Sequence, residues 1–315
     1  MYLPFLRQRS ASLACDRPIC WVGEIGGETT VLAVRGPLAY LGEGHRLVVV
    51  DIADPTKPRR VGESDPLPGR IQKLSLMGDL AYVADGSNGL RVMDLSDPLR
   101  PREVASLDTT GDTRMVVVAE SYAYLADGPG GLVIVDVSTP TVPRRISSVD
   151  THQDANALAL RDGLAYIAIA DPGSAGLSVV DVSKPAQPRE VGAMATSGTA
   201  LEVALNGHYA YIADGPAGLQ VMDISDPRSP RRIGSLTEVG NVLGITISDG
   251  HAYLADLDHR LLVVDVTDPT RMRISGGLNL PHRPASMQVV GTMAYVLNDA
   301  QTIDIVDVSD PAAPL

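Results

Sequence analysis

The chain has 315 residues, 44% of them apolar, and a formal net charge of −12. That acidity sets its field against phosphate backbones, so nucleic acid is not an expected partner. No apolar run is long enough to predict a membrane-spanning helix, and Arg7, Gln8 and Arg9 interrupt the N-terminal stretch that a signal peptide would need to be apolar.

Val, Ile, Leu and Ala dominate the apolar set, beside a single Phe and a single Trp. β-Branched residues fit pleated, buried surfaces, and Gly and Pro punctuate the chain every few residues. No window carries an apolar face at helical period, so the expected class is all-β. Cys15 and Cys20 lie outside the regular pattern and would close a small loop if the chain were exported.

Laid on itself, the chain repeats. An Ala-Tyr pair recurs with its tyrosine at Tyr40, Tyr82, Tyr124, Tyr166, Tyr211, Tyr253 and Tyr295, at spacings of 42, 42, 42, 45, 42 and 42. A second series, Asp51, Asp94, Asp136, Asp181, Asp223, Asp265 and Asp307, ends apolar runs such as LVVVD and LVIVD. A period in the forties with four short strands per unit predicts a seven-bladed β-propeller with four antiparallel strands per blade. In the third unit, strand A is expected over residues 114–119, B over 122–127, C over 132–137 and D over 144–149. Glu120-Ser121 turns A into B, and Gly128-Pro129-Gly130-Gly131 makes the B–C hairpin, with glycines where positive φ is needed. Strand C is apolar almost throughout, as a strand covered on both faces should be, and D is more polar, as an outer edge should be.

The segment from Pro18 to Ile25 precedes the first unit and resembles the start of a D strand such as Pro101-Arg102-Glu103-Val104. It is expected to supply the outer strand of the seventh blade and hide the edge there. Residues 1–17 are then an N-terminal extension and 18–315 a single propeller domain.

Three segments carry a family likeness: Leu132-Val133-Ile134-Val135-Asp136-Val137-Ser138, Gly89-Leu90-Arg91-Val92-Met93-Asp94-Leu95-Ser96-Asp97-Pro98, and Gly218-Leu219-Gln220-Val221-Met222-Asp223-Ile224-Ser225-Asp226-Pro227. They resemble the LVIVD repeat of bacterial and archaeal propellers, over roughly residues 18–315. The resemblance implies a propeller often found in exported or cell-surface proteins, with binding or assembly rather than catalysis as its task. The chain departs from the pattern at Met272, where a second proline is lost, and around Asp171-Pro172-Gly173-Ser174, where three residues are added. Blades four and six are therefore expected to be the least regular.

Acids or an amide end strand B in each unit: Glu43, Asp85, Asp127, Asp171, Asp214, Asp256 and Asn298. They read as turn chemistry, because Asp before Gly bonds its own hairpin backbone, rather than as a cation-binding rim. The Asp51-to-Asp307 series reads as caps on the turns after strand C. Function is expected where the blades differ. Loops entering strand A share a face with the B–C hairpins and line one mouth of the channel. They carry Arg70, Gln72, Asp112, Arg114, His152, Asp154, Asn156, Asn241, His282 and Arg283, with Glu28, and the hairpins add His45, His259 and Arg260. A plainer reading is a solvated channel in which Arg70, Arg114 and Arg283 only balance Asp112 and Asp154.

Catalytic signals are absent. There is no nucleophile elbow, no HExxH and no paired-cysteine motif, and no cofactor is expected. The four histidines of the mouth come from four different units and are not expected to converge on a metal. Exposed aromatic rings for sugar binding are scarce. Outside the repeated series there remain only Tyr2, Tyr122, Tyr209, Trp21 and Phe5. The expected function is a non-enzymatic scaffold that binds a protein partner or assembles at the cell surface through the channel mouth. The alternative is an enzyme, a hydrolase or a metal-dependent oxidase, with its site at the same mouth.

Overall fold

The computed structural model describes residues 20–25, 29–54, 56–171, 173–258, 260–300 and 302–310. They form seven four-stranded antiparallel sheets and no helix. Each of the first six sheets uses four consecutive strands, and the seventh joins Pro284–Val290, Met293–Asn298 and Ile303–Asp307 to Cys20–Ile25. The N-terminal strand thus closes the last blade. Cys20 pairs with Asp307 as Arg102 pairs with Asp94, so the closing strand copies a D strand in register.

The recurring Ala-Tyr pair has a packing explanation. Adjacent strand residues point to opposite faces of a sheet. Tyr124 faces blade 4, while Ala123 faces blade 2. The same holds around the ring, so every interface sets the tyrosine of one blade against the small alanine of the next. Seven apolar clusters result, one between each pair of neighbours. Strand C is covered on both faces, and Leu132, Val133, Ile134 and Val135 are all fully buried.

In blade 3 the strands run Met115–Ala119, Tyr122–Ala126, Leu132–Asp136 and Arg144–Val149. Strands A, B and C are each a residue shorter than expected, because Arg114, Asp127 and Val137 leave the ladder for loop contacts. Every D strand carries a bulge, as between Ile134 and Val135 opposite Ser147 and Arg145. The bulge interrupts the outer ladder and so blunts a free edge. Blades 4 and 6 keep the same strand order as the rest. The three extra residues of blade 4 lengthen strands B and C and their hairpin, and Met272 packs on the cluster between blades 5 and 6.

The aspartates that end strand C are caps, as expected. Each accepts the N–H two residues on, at 2.9–3.1 Å. Five of them also pair with the arginine that opens strand D, at 2.8–3.5 Å. The Ser96 N–H and then Arg102 hold the Asp94 carboxyl down to about 2. The hydroxyl and N–H of Thr267, and then Arg273, do the same for Asp265. Both lie below the 3.8 of a free aspartate, so their contribution is full above that pH and is lost as pH falls toward 2. Urea midpoints should therefore drop between about pH 5 and 2, and more shallowly for a Asp94→Asn/Asp265→Asn double variant. Parallel profiles for the two proteins would contradict this account.

Candidate functional site

The residues that end strand B turn inward to the frame. Asp85, Asp127, Asp214 and Asp256 are fully buried, and Asn298 nearly so. Turn bonds form to the carbonyls of Asp85, Asp127 and Asp214, but their carboxylates reach back to the loop that enters their own blade, a contact the turn chemistry did not predict. Asp256 and Asn298 keep to their own hairpins, accepting from Asp258 N and Thr302 N. Asp127 accepts from Thr109 Oγ1 at 2.7 Å, Thr113 Oγ1 at 2.5 Å and Gly111 N at 3.0 Å. Asp214 accepts from Thr196 Oγ1 at 2.7 Å and Gly198 N at 3.0 Å, and burial pushes its carboxyl up. Gly111 has no room for a side chain, since a Cβ there would lie 2.0 Å from the Asp127 carbonyl oxygen.

Blade 2 keeps the acid but loses its hydroxyl donors. Leu67 and Ile71 stand where blade 3 has Thr109 and Thr113, and Asp85 Oδ1 is left without a partner. Its other oxygen takes Gly69 N at 3.1 Å and Arg91 Nε at 3.2 Å, and burial pushes the carboxyl up. Glu43 instead pairs with Arg60 at 3.0 Å, and Asp171 stays half-buried in its hairpin. Among the described residues, no cluster of three or more His, Cys, Asp or Glu could hold a metal.

The channel mouth is built on locked loops. Gly128 and Ala155 exchange backbone bonds of 3.1 and 3.0 Å, joining the hairpin of blade 3 to the start of strand A in blade 4. Gly86 and Thr113 do the same one blade earlier, and Gly215 and Val242 between blades 5 and 6. The left-handed glycines of these hairpins lie close to Gln72, Asp112, Arg114 and Asn241. Arg114 Nη2 pairs with Asp154 at 2.8 Å and its Nε with Asp112 at 3.2 Å, so it ties blade 3 to blade 4. Asn156 donates to the Leu201 carbonyl of blade 5 at 2.6 Å.

The other predicted residues do not converge. Arg70 is exposed and has no ion-pair partner among the described residues. Arg283 is held by Asp299, with its backbone N–H donating to Oδ1 at 3.1 Å. His152, at φ +60°, is exposed beside Asp150, and His282 is half-buried. His45 lies 3.2 Å from the Leu67 carbonyl. Arg260 belongs to the frame rather than the mouth, since its Nε donates to buried Asp256 at 2.7 Å. Glu28 and His259 lie outside the described residues.

One functional group was missed. Lys73 of blade 2 reaches across the channel to Glu202 of blade 5 and Ser286 of blade 7, each at 3.1 Å. The second Glu202 oxygen accepts Ile245 N of blade 6 at 2.9 Å. Other side chains also stitch the inner strands, whose free edges face the channel. Gln288 accepts Val34 N at 2.9 Å, and Thr246 donates to the Met287 carbonyl at 3.1 Å. Lys73, Glu202 and Ser286 occupy one register, opposite Ala84, Ala213 and Leu297. Aligning the repeats on that register would have shown a lone cation and a lone carboxylate in an otherwise small or apolar ring. As the cation of an ion pair, Lys73 is a donor to Ser286, an arrangement that braces the channel below its mouth.

The sequence model of the LVIVD repeat matches seven segments, residues 26–65, 68–109, 110–151, 153–196, 197–238, 239–279 and 285–315. No curated protein matches the sequence. Among solved structures, the chain is similar to the β-propeller domain of Cps50 (Swd1) from Myceliophteria thermophila, with TM-score 0.76 and 13% identity over 92% of this chain and 100% of that one. It is also similar to the computationally designed Ika8 protein, with TM-score 0.68 and 11% identity over 89% of this chain and 83% of that one. BamB from Moraxella catarrhalis matches with TM-score 0.62 and 13% identity, again over 89% and 83%. At such identities the likeness is one of fold.

Proposed function

The chain belongs to the LVIVD-repeat family, and from that premise we propose that it is a non-enzymatic scaffold whose channel mouth binds a protein partner. The observation that carries this reading is the contrast between a locked frame and side chains that change from blade to blade. Backbone pairs hold the mouth loops on the neighbouring hairpins, while the residues above them run from Gln72 to Arg114 to Asn241. A surface that is rigid and chemically varied loses little freedom on binding and can discriminate among partners. The likeness to propellers of exported and cell-surface proteins supports a cell-surface setting for this scaffold.

Charge reversal of Arg70 and Arg283 is the direct test, because neither side chain is part of the buried frame. Capture of the partner from native cells should fall at least about tenfold for Arg70→Glu/Arg283→Glu, with the melting temperature unchanged. Adding Arg114→Glu should deepen the loss and also loosen blade 3 from blade 4. Undiminished capture by the double variant would rule out the mouth as the binding surface.

A further inference from the structure

A cleft of about 710 Å³ lies between blades 3 and 4 on the face opposite the channel mouth. That volume is in the range of sites that hold ligands. Tyr122 lines one side, and Leu160 and Leu164 line the other. Blades 1, 2 and 4 carry Leu38, Leu80 and Leu164 at the place of Tyr122, so the ring is not required by the frame.

Tyr124 also lines the cleft and is 6% exposed. Its hydroxyl has no hydrogen-bond partner among the described residues, as is also true of the Tyr82 hydroxyl in blade 2, and it is the cleft that makes the Tyr124 hydroxyl reachable. Burial, and then Glu120, push the Tyr124 hydroxyl up, so it stays a neutral donor and acceptor.

The rim carries carboxylates. Glu120 has φ +55°, where blades 1, 2, 5 and 7 have Gly36, Gly78, Gly207 and Gly291 at +53° to +58°. Glutamate is disfavoured in that region, so the backbone alone would select glycine. Asp162 takes the same turn position in blade 4, at φ +51°, with Arg161 3.7 Å away. Two carboxylates against one guanidinium leave the cleft net negative.

We propose that this cleft binds a lysine or arginine side chain of a partner protein. The aliphatic stem lies against Leu160 and Leu164, and the charged end meets the Tyr122 ring, the Tyr124 hydroxyl and Glu120. An amphipathic cation matches an apolar wall that ends in an aromatic face, an unpartnered hydroxyl and a carboxylate. Such a site gives the propeller a docking point on the face away from the mouth, and it does not depend on the mouth being a binding surface.

The test uses a fluorescein-labelled peptide alternating Lys and Gly, and its counterpart with Gln for Lys, read by anisotropy on the full chain. The Lys peptide should bind, and the Gln peptide at least about fivefold more weakly. Tyr122→Leu, which restores the residue of three other blades, should weaken the Lys peptide about fivefold. Glu120→Gly should also weaken it while raising the melting temperature, so the loss could not be blamed on unfolding. Asp65→Asn, an exposed acid on the loop into blade 2, and Arg70→Glu at the mouth should leave it unchanged. The proposal is overturned if neither peptide binds, if both bind equally, if Tyr122→Leu or Glu120→Gly has no effect, or if Asp65→Asn weakens binding as much as they do.

Discussion

Removal of residues 1–26 should lower the stability of the ring by about 4–5 kcal/mol and make it self-associate. The closing strand pairs with Ile303–Asp307 at Cys20, Trp21, Gly23, Glu24 and Ile25. Each net backbone bond contributes about 1 kcal/mol, which sets the scale of the loss. The truncated chain also bares the outer edge of a strand whose Ile303, Ile305 and Val306 are fully buried. An apolar strand with an open ladder is a template for pairing with another chain. Urea denaturation and light scattering check the two parts separately. Equal midpoints and a monomeric truncated chain would sink the closure scheme.

The second large effect is expected at Asp127→Ala, a loss of about 4 kcal/mol. The substitution strands two threonine hydroxyls and the Gly111 N–H around a fully buried carboxylate position, with Thr113 fully buried and Thr109 and Gly111 half-buried. Bonds to a charged acceptor each contribute about 1.5–3 kcal/mol, and the unpaired donors carry a desolvation penalty of their own. Blade 2 supplies the internal control. The matched truncation Asp85→Ala should be milder, because Leu67 and Ile71 offer Asp85 no hydroxyl and Arg91 keeps Glu103 and Asp108 as partners. Burial raises its folded pKa, so whatever Asp85 contributes is present below the unfolded pKa and fades as pH rises through the folded one. Similar losses for the two variants, measured by urea unfolding near neutral pH, would mean that the threonine donors do not set the difference.

These two blades also mark how far local reading reaches. The Asp-Gly pairs at 85–86 and 127–128 look alike along the chain and form the same hairpin. Their hydrogen-bond partners differ because of residues 14 and 18 positions earlier, on a loop that packs against them only when strand A lies beside strand B. Likewise Tyr122 stands out in the sequence only as an aromatic ring left over from the repeat. Its place in a cleft beside Tyr124 is visible only once blades 3 and 4 pack together.

By itself the sequence determined the class, the blade number, the four strands of each unit and the closing role of the N-terminal segment. Those features arise from local periodicities: Ala against Tyr on opposite faces of a strand, apolar runs covered on both sides, and an aspartate capping the turn two residues on. Repetition sevenfold made each signal readable. Only the tertiary structure decided what the blades do to one another. Lys73 and Glu202 are 129 residues apart and meet because ring closure brings distant inner strands across one channel. Arg114 reaches Asp154, and Glu120 the cleft, because consecutive blades 3 and 4 pack face to face. A repeat encodes what its units share, whereas a site on a propeller is made of their differences, and those become neighbours only when the blades pack and, across the channel, when the circle closes.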